Sequence, residues 1–195
     1  QIKAFELNVC AGRKAYAAIA YSSALQYYRT AARFFANPEI AGQLWRDHHA
    51  SAMSFLIELA GCEFLEGDRD LAQQYIRQSV AHAGTALEKA NALNTLIIQY
   101  TLLAKYPQAI SVGQEALAAL GIEISGEACD EAGKREIMQV RQALRERSVS
   151  SLMNLPVMSD PEILMAVKIL ITMGPPCYRA HQGLWSVIVP KVINL

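Results

Sequence analysis

Asp47, His48 and His49 form the densest group of proton-transferring side chains in the chain. A carboxylate beside two imidazoles is the raw material of acid-base chemistry or of a metal site. Their consecutive placement argues against both, because neighbouring side chains on a helix point in diverging directions and metal-binding histidines need a spacing of three or four. His82 and His181 have no ligand-forming neighbours in sequence and read as ordinary helix residues. Ala11-Gly12-Arg13-Lys14 has the composition of a phosphate loop, yet it lacks both the Gly-x-x-x-x-Gly-Lys-Ser/Thr spacing and a preceding strand. Asp130 and Glu131 start an expected helix, where acids favour the positive end of the dipole. Cys10, Cys62, Cys129 and Cys177 are far apart and form no Cys-x-x-Cys pair, so they read as buried thiols of a reducing cytoplasm rather than a zinc knuckle or a disulfide framework. No catalytic, cofactor-binding or metal-binding residue is expected, and the chain reads as non-enzymatic.

The composition narrows the partners. Eighteen basic and eighteen acidic residues among 195 balance to a net charge of zero. That balance argues against nucleic acid, whose phosphates reward a basic excess. The longest apolar run, Ile163 to Met173, carries Lys168 and is too short to span a bilayer, so no membrane partner is expected. The basic block Lys134 to Arg147 contains Glu136 and Glu146, and Ile137, Val140 and Leu144 give it a core-facing stripe; it reads as a solvated amphipathic face. The chain opens on Gln1 and closes within the apolar stretch VIVPKVINL, which Pro190 interrupts, and it reads as a piece of a larger cytoplasmic protein.

Apolar residues recur at three- and four-residue spacing almost throughout, and no Asn-Gly or Asp-Gly turn joins alternating runs, so the fold class is all-α. About nine helices are expected, over 3–18, 21–36, 39–66, 69–83, 86–104, 107–120, 130–151, 161–173 and 178–194. Asn37-Pro38-Glu39 and Asp160-Pro161-Glu162 each supply a cap, a first-turn proline and an acid. Gly84 and Gly121 are expected helix terminators. Residues 122–129 read as a linker, and Gly174-Pro175-Pro176 is expected to force a break.

A repeat lies beneath this pattern. Tyr-x-x-Ala occurs at Tyr21 to Ala24 and at Tyr106 to Ala109, with Arg69 to Ala72 as a degenerate copy. A second small residue follows seven positions later in each, at Ala31, Ala116 and Ser79, close to two helical turns away and therefore on the same stripe. A shift of 37 residues lays Gly67 on Ala104, Ala72 on Ala109, Ser79 on Ala116 and Gly84 on Gly121. This is the mark of stacked helical hairpins. Three hairpins are expected over 1–121, with 122–195 continuing or capping the stack. The aromatic group Tyr21, Tyr27, Tyr28, Phe34 and Phe35 is expected to pack between helices.

These residues resemble the tetratricopeptide repeat, with Gly12 at its first-helix glycine, Gly67 at its turn glycine and the small residues on its second helices. Asn8 and Asn91 depart from the pattern where the repeat wants tryptophan or leucine. The resemblance implies a superhelical solenoid whose concave, protein-binding face is formed by Val9, Arg13, Tyr16, Ile57, Gly61, Phe64, Asn94, Ile98 and Thr101. A narrower resemblance rests on AGRKAYAAIAYSSALQYY, LWRDHHASAMSF, FLEGDRDLA, EALAALGIEIS, LMNLPVMSDPEIL and GPPCYRAHQGLW. It is to the helical region of large bacterial multidomain signalling proteins, which carry a serine/threonine-kinase-like domain, an ATPase-like domain, this segment, a sensory domain and often a histidine kinase. It implies an interaction and relay segment whose partner is a protein: a neighbouring domain or a peptide. The apolar C-terminal surface is a candidate homodimer contact. The alternatives are a free-standing tetratricopeptide-type peptide receptor, as in a transcriptional activator, and an enzyme using Asp47, His48 and His49.

Overall fold

A computed structural model describes residues 1–145, 147, 151, 154 and 156–195. Among the described residues there are ten α-helices and no strand. They are α1 (Ile2–Ala17), α2 (Tyr21–Ala32), α3 (Pro38–Asp47), α4 (His49–Glu66), α5 (Arg69–His82), α6 (Ala86–Leu102), α7 (Tyr106–Ala119), α8 (Cys129–Arg145), α9 (Pro161–Ala180) and α10 (Gln182–Asn194). The chain divides into two compact units, Gln1–Gly84 and Thr85–Leu195. No described helix is long and apolar enough to cross a membrane.

Small residues let helices approach. Ala24, Ala31, Ala72, Ser79, Ala109 and Ala116 all sit on helices with no solvent exposure. They lie on the second members of the packed pairs α1/α2, α4/α5 and α6/α7. The three pairs also turn in the same way. Ile19, Gly67 and Ala104 have left-handed backbones, with φ of 62°, 101° and 54°, and each stands five residues before its buried alanine. The amide of each donates three residues back, to the carbonyl of Tyr16, Phe64 or Thr101. The following amide reaches five residues back, to Ala15, Glu63 or Tyr100. This doubly bonded termination satisfies carbonyls that the helix end would leave bare. Glycine is at ease there, whereas Ile19 adopts a conformation that a β-branched side chain disfavours.

In the first unit Phe5 is the centre of an aromatic core. Its ring meets those of Phe34, Phe35 and Phe55 edge-on, at centroid distances of 6.5, 5.9 and 5.1 Å. Ala24, Leu25 and Tyr28 of α2 seal one side of this core. Tyr27 stays exposed, while Tyr21 meets the ring of Tyr16 edge-on. In the second unit α9 packs on α6, α7 and α10, and α10 packs on α8.

Several expectations require correction. The helix expected over 39–66 breaks at His48 (φ −131°, ψ 32°), giving α3 and α4. No glycine or proline marks the break. Instead the turn brings the Trp45 ring onto Phe35, His49 and His82, stacking on the last at 3.9 Å with planes 7° apart. The break expected at Gly174-Pro175-Pro176 does not occur. The prolines surrender bonds to the carbonyls of Ile171 and Thr172, but buried Ile169, Leu170, Met173 and Cys177 carry α9 on to Ala180. The chain breaks instead at His181, whose Nδ1 accepts the amide of Leu184 at 3.1 Å, so this residue is the cap of α10 rather than an ordinary helix position. Pro190 likewise stays within α10. The helix expected over 21–36 ends at Ala32 and tightens into a 3-10 turn at Arg33–Ala36. Of the helix expected over 130–151, residues 146 and 148–150 lie outside the described residues. Cys10 is exposed, unlike the other three cysteines, and all four are free thiols.

The caps follow the sequence closely. Asn37 Oδ1 accepts the amides of Glu39 and Ile40 at 3.0 and 3.3 Å, and Asp160 Oδ1 accepts those of Glu162 and Ile163 at 2.9 and 3.3 Å.

Candidate functional site

Gly12 on α1 and Tyr28 on α2 set the base of the site. A β-carbon at Gly12 would run into the Tyr28 ring, so the glycine allows the aromatic face to lie directly against the backbone of α1. A buried phenol needs a hydrogen-bond partner. Tyr28 finds one on α4, donating to Glu58 Oε2 at 3.0 Å. Arg13, next to Gly12, forks onto the same carboxylate, with Nε 2.9 Å from Oε2 and Nη2 2.8 Å from Oε1. Three helices are thus tied through one carboxylate. The bonds to Glu58 hold the Arg13 guanidinium above its ordinary ionisation range, while burial and then the Glu58 charge push that of the Tyr28 phenol upward.

Beside this triad opens a cavity of about 280 Å³ lined by Arg13, Tyr16, Tyr28, Ile57, Glu58 and Gly61. Tyr16 follows Arg13 by three residues and Gly61 follows Ile57 by four, so each helix turns one face toward the opening. Gly61, like Gly174 of α9, lies inside its helix with a φ outside the left-handed range, and a β-carbon there would meet nothing within 4 Å; Gly61 differs in lining a cavity. A glycine within a helix costs about 1 kcal/mol relative to alanine. Neither backbone conformation nor internal packing accounts for it, and its effect is to leave the cavity open.

Four of the nine residues expected on a concave face therefore surround one opening: Arg13, Tyr16, Ile57 and Gly61. Val9 is buried in the aromatic core, and Phe64 is half-buried. The other three belong to the second unit. Asn94 is buried, and its Oδ1 has no hydrogen-bond partner among the described residues. Ile98 is exposed, and the Thr101 hydroxyl donates to the Ile97 carbonyl at 2.8 Å. Tyr28 and Glu58 were missing from the sequence-derived set. Glu58 had a signal, as a solitary carboxylate within the apolar run MSFLIELAG, whereas its pairing with Arg13 across 45 positions had none.

A second carboxylate on α4 lies deeper. Glu63 has no solvent exposure and receives a bidentate fork from Arg29 of α2, at 2.9 and 2.6 Å. Ser22 adds a bond to Glu66 at 2.9 Å. The acids of α4 are therefore occupied in holding α1 and α2. Burial raises the Cys62 thiol to about 11, which disfavours the thiolate that nucleophilic chemistry requires.

The acid-histidine stretch is dispersed by the helix break. Asp47 ends α3, His48 occupies the junction with Nδ1 3.6 Å from Glu6 Oε1, and His49 opens α4 beside Trp45. His82 serves as a stacking partner for Trp45. Among the described residues no group of three or more His, Cys, Asp or Glu side chains is placed to hold a metal ion. No protein-family model matches the chain, and no curated protein or solved structure matches it either.

Proposed function

We propose that this chain is a non-catalytic interaction and relay segment, a tetratricopeptide-like stack of helical hairpins within a bacterial multidomain signalling kinase. The observation that carries this reading is the cavity at Gly61, a space that α4 keeps open at a cost to its own helix propensity. The three matched left-handed turns and the buried alanines that follow them support the repeat. An apolar side chain from a neighbouring domain would enter beside Tyr16 and Ile57. Its insertion would bias the packing of α1, α2 and α4, because Arg13, Tyr28 and Glu58 join all three at the cavity wall. Coupling of this kind extends only as far as the contacts differ between the docked and undocked states.

Two experiments test the reading. Gly61→Leu fills the cavity from within; by removing the glycine's helix cost it should leave the protein folded and at least as resistant to unfolding as wild type, while abolishing nucleotide-dependent output of the parent kinase. Replacing the whole segment with a flexible linker of the same span should have the same effect on output, and an undiminished response would end the relay idea. A free-standing peptide receptor is the alternative, favoured by the half-exposed Arg13, whose Nη1 makes no bond among the described residues and could meet a peptide carbonyl. Under that reading Gly61→Leu abolishes binding of a free peptide instead.

A further inference from the structure

We propose that the groove between α8 and α10 is a docking site for an acidic amphipathic helix. This surface lies in the second unit and is independent of the cavity at Gly61. The groove encloses about 410 Å³ and is lined chiefly by Ile137, Val140 and Arg141 of α8 and by Trp185, Val189 and Ile193 of α10. Ile137, Trp185, Val189 and Ile193 are 42%, 39%, 43% and 63% exposed. Trp185, Val189 and Ile193 recur every four residues, so they form one rail along α10, and the ring of Tyr178 meets that of Trp185 edge-on at 5.6 Å. Large aromatic and arginine side chains around an apolar floor are the composition of an energetic interface centre.

Charge selects the occupant. Lys134, Arg141 and Arg145 lie seven and four residues apart, on the flank of α8 beside its apolar stripe. None makes an ion pair among the described residues. The acid nearest the middle of α8, Glu136, is already engaged, accepting bonds from Lys191 at 3.0 Å and Asn194 at 2.6 Å. Asp130 and Glu131 belong to the first turn of the helix. The surface thus presents an apolar trough with one basic bank. An incoming helix with apolar residues at three- and four-residue spacing and carboxylates along one flank matches both features. A second copy of this chain matches less well, since a two-fold contact would bring both basic banks into one interface. The exposed rim above half-buried Val140 and buried Pro190 gives the trough a depth that a flat bilayer would leave unfilled.

The test uses the 195-residue chain and a fluorescein-labelled synthetic helix of about 16 residues, with leucines on one face and glutamates along one flank. A control peptide carries lysine at every glutamate position. Anisotropy titration should show the acidic peptide binding at least about tenfold more tightly than the basic one. Arg141→Glu combined with Arg145→Glu, both at exposed positions, should invert that order, and Val189→Glu should remove binding of either peptide. Failure of the acidic peptide to bind, or equal binding of the two peptides, overturns the proposal. So does sedimentation showing a dimer that Val189→Glu dissolves. Stable capture by phosphatidylserine vesicles that the acidic peptide cannot displace assigns the surface to membrane instead.

Discussion

Two helix-interior glycines solve the same packing problem with different neighbours. Gly12 lies under the ring of Tyr28, and Gly113 of α7 lies under the tail of Met173 of α9. In both, the missing β-carbon lets a large side chain rest on helix backbone. Met173 is a flexible thioether that asks for no partner. Tyr28 is rigid, and its hydroxyl recruits Glu58, which in turn holds Arg13. The aromatic choice therefore brings polar order with it and gives its unit a walled cavity, while the methionine choice yields only a filled core. A site arises where packing needs a hydrogen bond to be complete.

The comparison breaks most readily at the glycines themselves. Gly12→Ala should destabilise the protein by about 2 kcal/mol more than Gly113→Ala in chemical denaturation. A pinned ring cannot withdraw from a new methyl, whereas the Met173 side chain, though buried and met at its Cγ as well as its sulfur, has three torsions with which to yield, and both substitutions gain similar helix propensity. Equal losses would erase the distinction between rigid and yielding neighbours.

The pair of half-exposed Arg29 and buried Glu63 bears next on the polar side of the comparison. Arg29→Met keeps most of the side-chain bulk but leaves the Glu63 carboxylate buried without its fork. A loss of about 2 kcal/mol is expected. Arg29→Met with Glu63→Leu should recover much of it, as read by the same unfolding titration.

A smaller effect separates the two units by pH. Tyr28→Phe should cost about 1 kcal/mol at neutral pH through the lost bond to Glu58. The folded protein holds this phenol above its ordinary value of 10.0. The stability it contributes is complete below about pH 10 and is lost as pH rises through the folded value. The advantage of wild type over Tyr28→Phe should therefore shrink from pH 10 upward. Met173→Leu, which has no titrating group, should show a constant difference from wild type across the same range.

The smallest expected effect is at a turn. Ile19→Gly relieves a left-handed β-branched residue and should stabilise the first unit by roughly 0.5–1 kcal/mol. Gly67→Ala should cost a similar amount at the equivalent turn.

The hairpins were legible because their information is local. Ala24, Ala72 and Ala109 recur at fixed offsets, and Asn37 and Asp160 announce helix starts within three residues. The candidate cavity was half legible for the same reason: Arg13 with Tyr16, and Ile57 with Gly61, follow from helical spacing once the helices are placed. Their partners did not follow, because Tyr28 to Glu58 and Arg29 to Glu63 cross 30 and 34 positions. Nor did the break at His48, where the aromatic contacts of Trp45 reach back to Phe35 and forward to His82. Local rules also misjudged Pro175 and Pro176. A proline removes one backbone bond, and the buried side of α9 outweighs that loss.

Ile19, Gly67 and Ala104 show that one bend can be written with three dissimilar letters, because main-chain amides specify it and side chains do not. Those corners thus accept different residues at a cost of about 1 kcal/mol or less, while the alanines five places downstream remain pinned by the bodies pressed against them. A saturation library would display that asymmetry as three columns that favour glycine but tolerate others, each with a far stricter column five places on.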